Sequence, residues 1–340
     1  MKKNNFIMPN NISLPKGHKL NEYVISQSLG GGGFSMVYLA YDKKGNPLAI
    51  KEFFPKVLNL RKEGTRIKFI NMREKQKFQA GLKDFKDETE IVMKLKHRNI
   101  IEIVNFFEEN ETAYIAMPFE YGYTLSKYIT VENENTEQDI INIIIGIFEA
   151  VQMFHENKII HLDLKPGNIW LRPNKEALVL DFGSARIYDD PEKSKKPPMF
   201  TPGYAGPEQQ RKYFKPDRIG TWTDYYGLGA TLYALLDRTS PTDAVKLLGD
   251  KELLSPEELK NFEKYPLTKS RSGQFNRRLL EIADELMALE WEERKKINLN
   301  SIIEELRRMQ PVSQVPLVTG FFTKDMIEAQ ELYIKNQSNQ

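Results

Sequence analysis

The chain of 340 residues has no cysteine. Disulfides, thiolate nucleophiles and Cys-ligated zinc are thereby excluded, and the fold must rest on its own core. Histidine is scarce: four residues, at positions 18, 97, 155 and 161, are too scattered for a histidine metal cluster. No sign of charge dominates. The 49 Lys and Arg against 47 Asp and Glu leave a net charge of +2, so no broad field points to a nucleic-acid partner. Long hydrophobic runs are missing too. The most apolar stretch, Ile140 to Val151, is interrupted by Asn142, Gly146 and Glu149 and is too short to span a bilayer. The N-terminus carries two lysines but no apolar signal core. A cytoplasmic chain without a membrane span is expected.

Against these absences stands one dense stretch. His161-Leu162-Asp163-Leu164-Lys165-Pro166-Gly167-Asn168 puts a carboxylate, a lysine and an amide within six residues, and Asp181-Phe182-Gly183 follows. That set suits moving a phosphoryl group. Asp163 can take or orient a hydroxyl proton, and Lys165 can neutralise phosphoryl oxygens. Asn168 and Asp181 offer hard oxygen ligands to Mg²⁺. Earlier in the chain, Leu29-Gly30-Gly31-Gly32-Gly33-Phe34-Ser35-Met36-Val37-Tyr38 sets a glycine run between two strand-like segments. Without Cβ atoms, backbone N–H groups there can approach phosphates closely. Leu48-Ala49-Ile50-Lys51 follows as an apolar strand ending in lysine.

Taken together and in this order, these motifs resemble the protein kinase family, and in particular the bacterial Hanks-type (eukaryotic-like) serine/threonine kinases. Residues 161–168 look like the kinase catalytic loop, with Leu162 where arginine is usual, and Asp181-Phe182-Gly183 matches the metal-binding triplet. The resemblance implies that Leu29, Gly30, Gly31, Gly32, Gly33 and Val37 cover the nucleotide. Ser35 stands where a third glycine is usual. Ala49 and Lys51 would follow, Lys51 holding the α and β phosphates. Glu88, counted back from His97-Arg98-Asn99-Ile100, would be the partner of Lys51; Glu90 is a nearby alternative on another side of the helix. Met117 would be the gatekeeper and Glu120 would contact adenine. Asp163 and Lys165 would be catalytic, with Asn168 and Asp181 as metal ligands for ATP with Mg²⁺ or Mn²⁺. Thr201-Pro202-Gly203-Tyr204-Ala205-Gly206-Pro207-Glu208 resembles the close of the activation segment, and Arg294 would pair with Glu208. In the family the threonine at position 201 bridges the catalytic aspartate and lysine. Leu162 cannot grip an activation-loop phosphate, so activity should not depend on modification of Ser194.

The implied fold is α+β and bilobal: a small β-rich N-lobe with a long αC helix, and a larger, mostly helical C-lobe. Residues 1–20 read as a lead-in, 21–117 as the N-lobe, 118–310 as hinge and C-lobe, and 311–340 as a tail. Residues 52–77 read as a basic insertion, solvated rather than a docking surface, with the helix at 78–96. Thr136 caps a support helix running to Asn157, and Ser301 with Glu304 fits a capping box for the last helix. The tail, with Phe321-Phe322, is either disordered or packed on the kinase surface. The implied activity is transfer of the γ-phosphoryl group of ATP to hydroxyls of protein substrates, whose identity the sequence does not give, with autophosphorylation. Two other classes share features: a nucleotide-binding scaffold without activity, and an aminoglycoside-type small-molecule kinase. Retention of Lys51, Asp163, Asn168 and Asp181 argues against the first, and residues 201–208 against the second.

Overall fold

Period-two burial governs the early part of the chain. The structure, a computed structural model, describes residues 13–56, 61, 64–69, 71–131, 136–188, 197–249 and 266–310. Its strands β1 (Lys19–Leu20), β2 (Tyr23–Gly30), β3 (Ser35–Tyr41), β4 (Pro47–Phe53), β5 (Asn105–Glu109) and β6 (Thr112–Pro118) form one antiparallel sheet in the order β1-β2-β3-β4-β6-β5. On β4, half-buried Pro47, Ala49 and Lys51 alternate with buried Leu48, Ile50 and Glu52. Residues opposite one another share a face. Val37, Lys51 and Ile115 therefore make one row and Leu39, Ala49 and Met117 another on the same side. The other side carries Met36, Glu52 and Tyr114, with Tyr38 and Ile50 in the neighbouring row.

Helix α1 (Met72–Val92) lies over the Lys51 side. The rings of Phe78 and Phe85 sit 5.1 and 5.4 Å from that of Phe53, which has the same strand parity as Lys51. Lys86 pairs with Glu108 of β5 at 2.6 Å. The helix starts earlier than its periodicity indicates, because Asn71 caps it by accepting from the Glu74 N–H at 2.9 Å. It thus takes in residues read as insertion. The insertion is also not wholly solvated: Arg61 and Ile67 are buried.

The second unit is helical, for a compositional reason. Helix α3 (Glu137–Glu156) is apolar almost all round, with Ile140, Ile141, Ile143, Ile144, Ile147 and Phe148 buried, as expected of a core helix. Thr136 and Asp139 form its capping box. Helix α4 (Thr221–Asp237) is equally enclosed. At Gly227 a Cβ would meet the Leu164 Cβ at 2.9 Å, so the missing side chain lets the helix press against the loop above it. Helix α2 (Leu125–Val131), Arg277–Leu286 and Leu299–Met309 complete the shell. The last of these is capped by Asn298, which accepts from Ser301 N–H at 3.2 Å, rather than by Ser301. Short strands β7 (Tyr123–Thr124), β9 (Ile169–Leu171) and β10 (Ala177–Val179) pair in the order β10-β9-β7, and β8 (Ile159–Ile160) pairs with β11 (Arg186–Ile187).

Contacts divide the chain into two units: one takes in Glu102–Glu120 and the described residues up to Lys94, the other Leu95–Ile101 and the described residues from Tyr121 on. Ser194, the Phe321-Phe322 pair and residues 323–335, whose sequence suits a short helix, lie outside the described residues. Among the described residues no helix is long and apolar enough to cross a membrane.

Candidate active site

In the larger unit, residues 161–168 link β8 to β9, and their shape is imposed from below. Asp224, buried near the start of α4, accepts from the backbone N–H groups of His161 at 2.9 Å and Leu162 at 2.8 Å. The same carboxylate meets His155 Nε2 at 2.8 Å. Leu162 sits at φ 65°, a left-handed conformation that costs a branched side chain energy. The Asp224 bond on one side and a bond from Gln209 Nε2 to the Leu162 carbonyl at 2.8 Å on the other hold it there. The Leu162 side chain is buried. His161 is fully enclosed, its ring 5.7 Å from that of Phe154 and 6.0 Å from that of Phe182. Burial pushes its pKa below the ordinary imidazole value, so the ring is neutral. Its Nδ1 accepts from the Asp163 N–H at 3.3 Å.

Asp163 is the hub. Its Oδ2 accepts from Lys165 Nζ at 2.7 Å and from Asn168 Nδ2 at 2.9 Å. Its Oδ1 accepts from Thr201 Oγ1 at 2.7 Å. Lys165 Nζ also donates to Thr201 Oγ1 at 2.8 Å, the bridging geometry implied for that threonine. These bonds use three of a carboxylate's roughly four acceptor positions, and fix its plane. Asn168 spends Nδ2 on Asp163, once to the carboxylate and once to the backbone carbonyl at 2.8 Å. Planarity of the amide then turns Oδ1 the other way. Leu180 N–H donates to the Asn168 carbonyl at 3.0 Å, which brings Asp181 alongside. Asp181 Oδ1 accepts from the Gly183 N–H at 3.1 Å. Two hard oxygen donors, an amide and a carboxylate, are thus carried on adjacent strands of backbone, a set that suits a divalent cation of the Mg²⁺ type. Nearby, Arg294 pairs with buried Glu208 and donates to the Trp222 carbonyl at 3.1 Å, tying residues 206–208 to α4.

The smaller unit holds the other expected residues on one sheet face. Val37, Ala49, Lys51 and Met117 share it by register, while Leu29 and Gly30 end β2, with Gly30 opposite Val37. In the glycine run, Gly31 is the tight point: a Cβ there would lie 2.1 Å from the Ser35 carbonyl oxygen. Gly32 and Gly33 face open space, room for phosphates to meet backbone N–H groups. On α1, Glu88 is half-buried beside Phe85 and Thr89, whereas Glu90 is exposed. Glu120 is half-buried just beyond β6.

One cluster was not anticipated from the sequence. On the opposite sheet face, Glu52 is sealed in: it accepts from Tyr38 OH at 2.7 Å, Tyr114 OH at 2.9 Å and both terminal nitrogens of Arg61. Burial, then the Glu52 charge, pushes both phenols well above the ordinary tyrosine value. Burial works against the Arg61 charge, but bonding to Glu52 outweighs it and the guanidinium pKa is raised. The available signal was parity: Glu52 follows Lys51 on a strand whose even positions are apolar.

The protein kinase domain family matches residues 23–306, and the chain belongs to it. The chain is 30% identical over 222 residues to serine/threonine-protein kinase PrkC of Bacillus subtilis, a match that takes in 65% of this chain and 31% of PrkC. It is 29% identical over 233 residues to calcium/calmodulin-dependent protein kinase type 1 of Caenorhabditis briggsae, covering 66% and 58%. Among solved structures, the apo form of PpkA-294 superposes with a TM-score of 0.71 at 30% identity, over 88% of this chain and 99% of that one. The resemblance to bacterial serine/threonine kinases, and the kinase fold with its β-rich and helical parts, are borne out. The chain spans little more than half the length of the nematode relative and under a third of PrkC. Members of the family use ATP and a divalent metal.

Proposed function

We propose that this chain is an active serine/threonine protein kinase that passes the γ-phosphoryl group of ATP to hydroxyls of protein substrates and of itself, with Mg²⁺ as its metal, in the cytoplasm. The observation that carries this reading is the Asp163 carboxylate, fixed by Lys165, Asn168 and Thr201 yet still partly open to solvent. A carboxylate so held can orient a substrate hydroxyl and take its proton as the phosphoryl group arrives. Lys165, beside it, offsets charge on the transferred group. Asn168 Oδ1 and Asp181 would hold the metal, which would supply positive charge to offset that developing on the phosphoryl group. Lys51 would hold the α and β phosphates and Glu88 would place Lys51; both belong to elements on the same side of the sheet. The glycine run would cover the phosphates, with Val37, Ala49, Met117 and Glu120 around the purine.

The test is phosphosite mapping by mass spectrometry after incubation with ATP and Mg²⁺, alone and with a casein-like protein. Asp181→Asn keeps size but removes the charge. It should lower transfer by on the order of 10³-fold, since metal-bound charge stabilisation is worth several kcal/mol, with the fold retained by circular dichroism. Transfer at the wild-type rate in Asp181→Asn would overturn the assignment. A wild-type chain active on small metabolites and inert on proteins would overturn the substrate class.

A further inference from the structure

The glycine run does not end in solvent. Beyond β4, the chain Phe54-Pro55-Lys56 runs on alongside it and continues the β3–β4 ladder by two bonds: Phe54 N–H to the Phe34 carbonyl and Lys56 N–H to the Gly33 carbonyl, each 2.8 Å. The Lys56 side chain then reaches the far arm of the run, and its Nζ donates to the Gly31 carbonyl at 2.9 Å. One residue thus holds Gly31 with its side chain and Gly33 with its backbone, on the two sides of the turn tip. Gly31 is also the glycine whose missing Cβ lets the turn fold onto Ser35. Lys56 is itself anchored on both sides. Upstream it is five residues from Lys51; downstream the chain enters the core again at Arg61, locked on Glu52.

We propose that Lys56 is a positioning residue for the nucleotide: its ammonium braces the glycine run in the folded-over shape that receives ATP phosphates, and it links that run to the strand carrying Lys51. The physical basis is entropic. A run of four glycines loses more conformational freedom on ordering than any other sequence, and ordering it on binding weakens binding by that amount. A charge-assisted bond to a glycine carbonyl, made before the nucleotide arrives, removes part of that penalty. Being exposed, Lys56 contributes little to global stability, so its effect is confined to the run. The proposal rests on the kinase reading only for ATP being the ligand.

The experiment uses the full chain with Lys56→Met, which keeps length and removes the donor, and Lys56→Arg, which restores a cationic donor. Hydrogen exchange is followed on a peptide spanning Gly31 to Ser35 without nucleotide, and Mg·ATP affinity is measured by calorimetry. Lys56→Met should speed exchange and weaken Mg·ATP each by about fivefold, the scale of one hydrogen bond. Its melting temperature should stay within about 1 °C of wild type, and Lys56→Arg should recover at least half of both effects. Unchanged exchange in Lys56→Met would overturn the brace. So would faster exchange with unaltered affinity, or Lys56→Arg behaving as Lys56→Met. A wild-type chain that binds Mg·ATP but phosphorylates no protein would sink the kinase reading and leave this proposal standing.

Discussion

Two carboxylates in this molecule have almost the same company and opposite circumstances. Glu52 receives a cation, Arg61, and two hydroxyls, those of Tyr38 and Tyr114. Asp163 receives a cation, Lys165, one hydroxyl, Thr201, and one amide, Asn168. The side chains of the first pair are 0% exposed, whereas Asp163 and Lys165 are 21% and 26% exposed. A carboxylate sealed among donors can only hold structure together. One held equally firmly but reachable can meet an incoming hydroxyl. Exposure, not the bonding inventory, separates a structural clasp from a carboxylate that can meet a substrate. The cation types follow: a planar guanidinium suits the dry, bidentate site, and a single-point ammonium suits the wet one.

The comparison breaks most decisively through exchange of phenotypes. Asp163→Asn should reduce protein phosphorylation by on the order of 10³-fold, within the range for a positioned base, with a melting curve close to wild type. Glu52→Ala should do the reverse. Stranding Arg61 in the core should remove about 3–5 kcal/mol of stability, read by urea unfolding, while the folded fraction still transfers phosphate. The double variant Glu52→Leu with Arg61→Met should regain most of that stability, because no buried charge is left alone. Loss of stability in Asp163→Asn equal to that in Glu52→Ala would erase the distinction.

Thr201 sharpens the wet side. Thr201→Ala removes the hydroxyl that fixes Asp163 Oδ1 and bridges to Lys165. About a tenfold fall in kcat is expected, or about 1.4 kcal/mol of transition-state stabilisation. Thr201→Glu should not restore it, since a second carboxylate against Asp163 repels it. A fully active Thr201→Glu variant would contradict the bridging role.

The smallest effect is a pH dependence of stability. His161 is kept neutral by burial, as is His97, so both titrate below the ordinary value near 6.5. Below that value the unfolded chain binds more protons than the folded one, so stability falls as pH drops through about 6.5 toward the lower folded pKa values, and is flat for these groups above. The slope is at most about 1.4 kcal/mol per pH unit for each histidine. Thermal melts between pH 7.5 and 5.5 should show it, with a shallower slope in His161→Phe. Equal slopes would remove His161 from the account.

Much of the wet site was legible because its chemistry is local. Asp163, Lys165 and Asn168 fall within six residues, and Asp181 follows closely. Such short spacings survive any fold that can hold a turn. The helix at 137–156 was legible for a similar reason, its apolar pattern and Thr136 cap being written in consecutive residues. The start of α1 was less so. The Asn71 cap sits inside a basic stretch, where its one polar bond leaves no periodic mark. The Ser301 capping box was misread because Asn298, three residues upstream, starts the helix first and accepts from the Ser301 N–H itself.

The amino-acid sequence by itself determined the family, the residue types of the proposed reacting centre and the alternation that gives each strand two faces, because each of these is carried by neighbours in the chain. Only the tertiary structure decided which face of β4 is sealed and that an arginine from the insertion seals it. It alone fixed Asp224, 62 residues away, as the support of the 161–168 loop at Leu162. It alone brought Lys56 onto a glycine run that ends more than twenty residues earlier. Those contacts depend on desolvation and distance, which exist only once the chain has closed on itself.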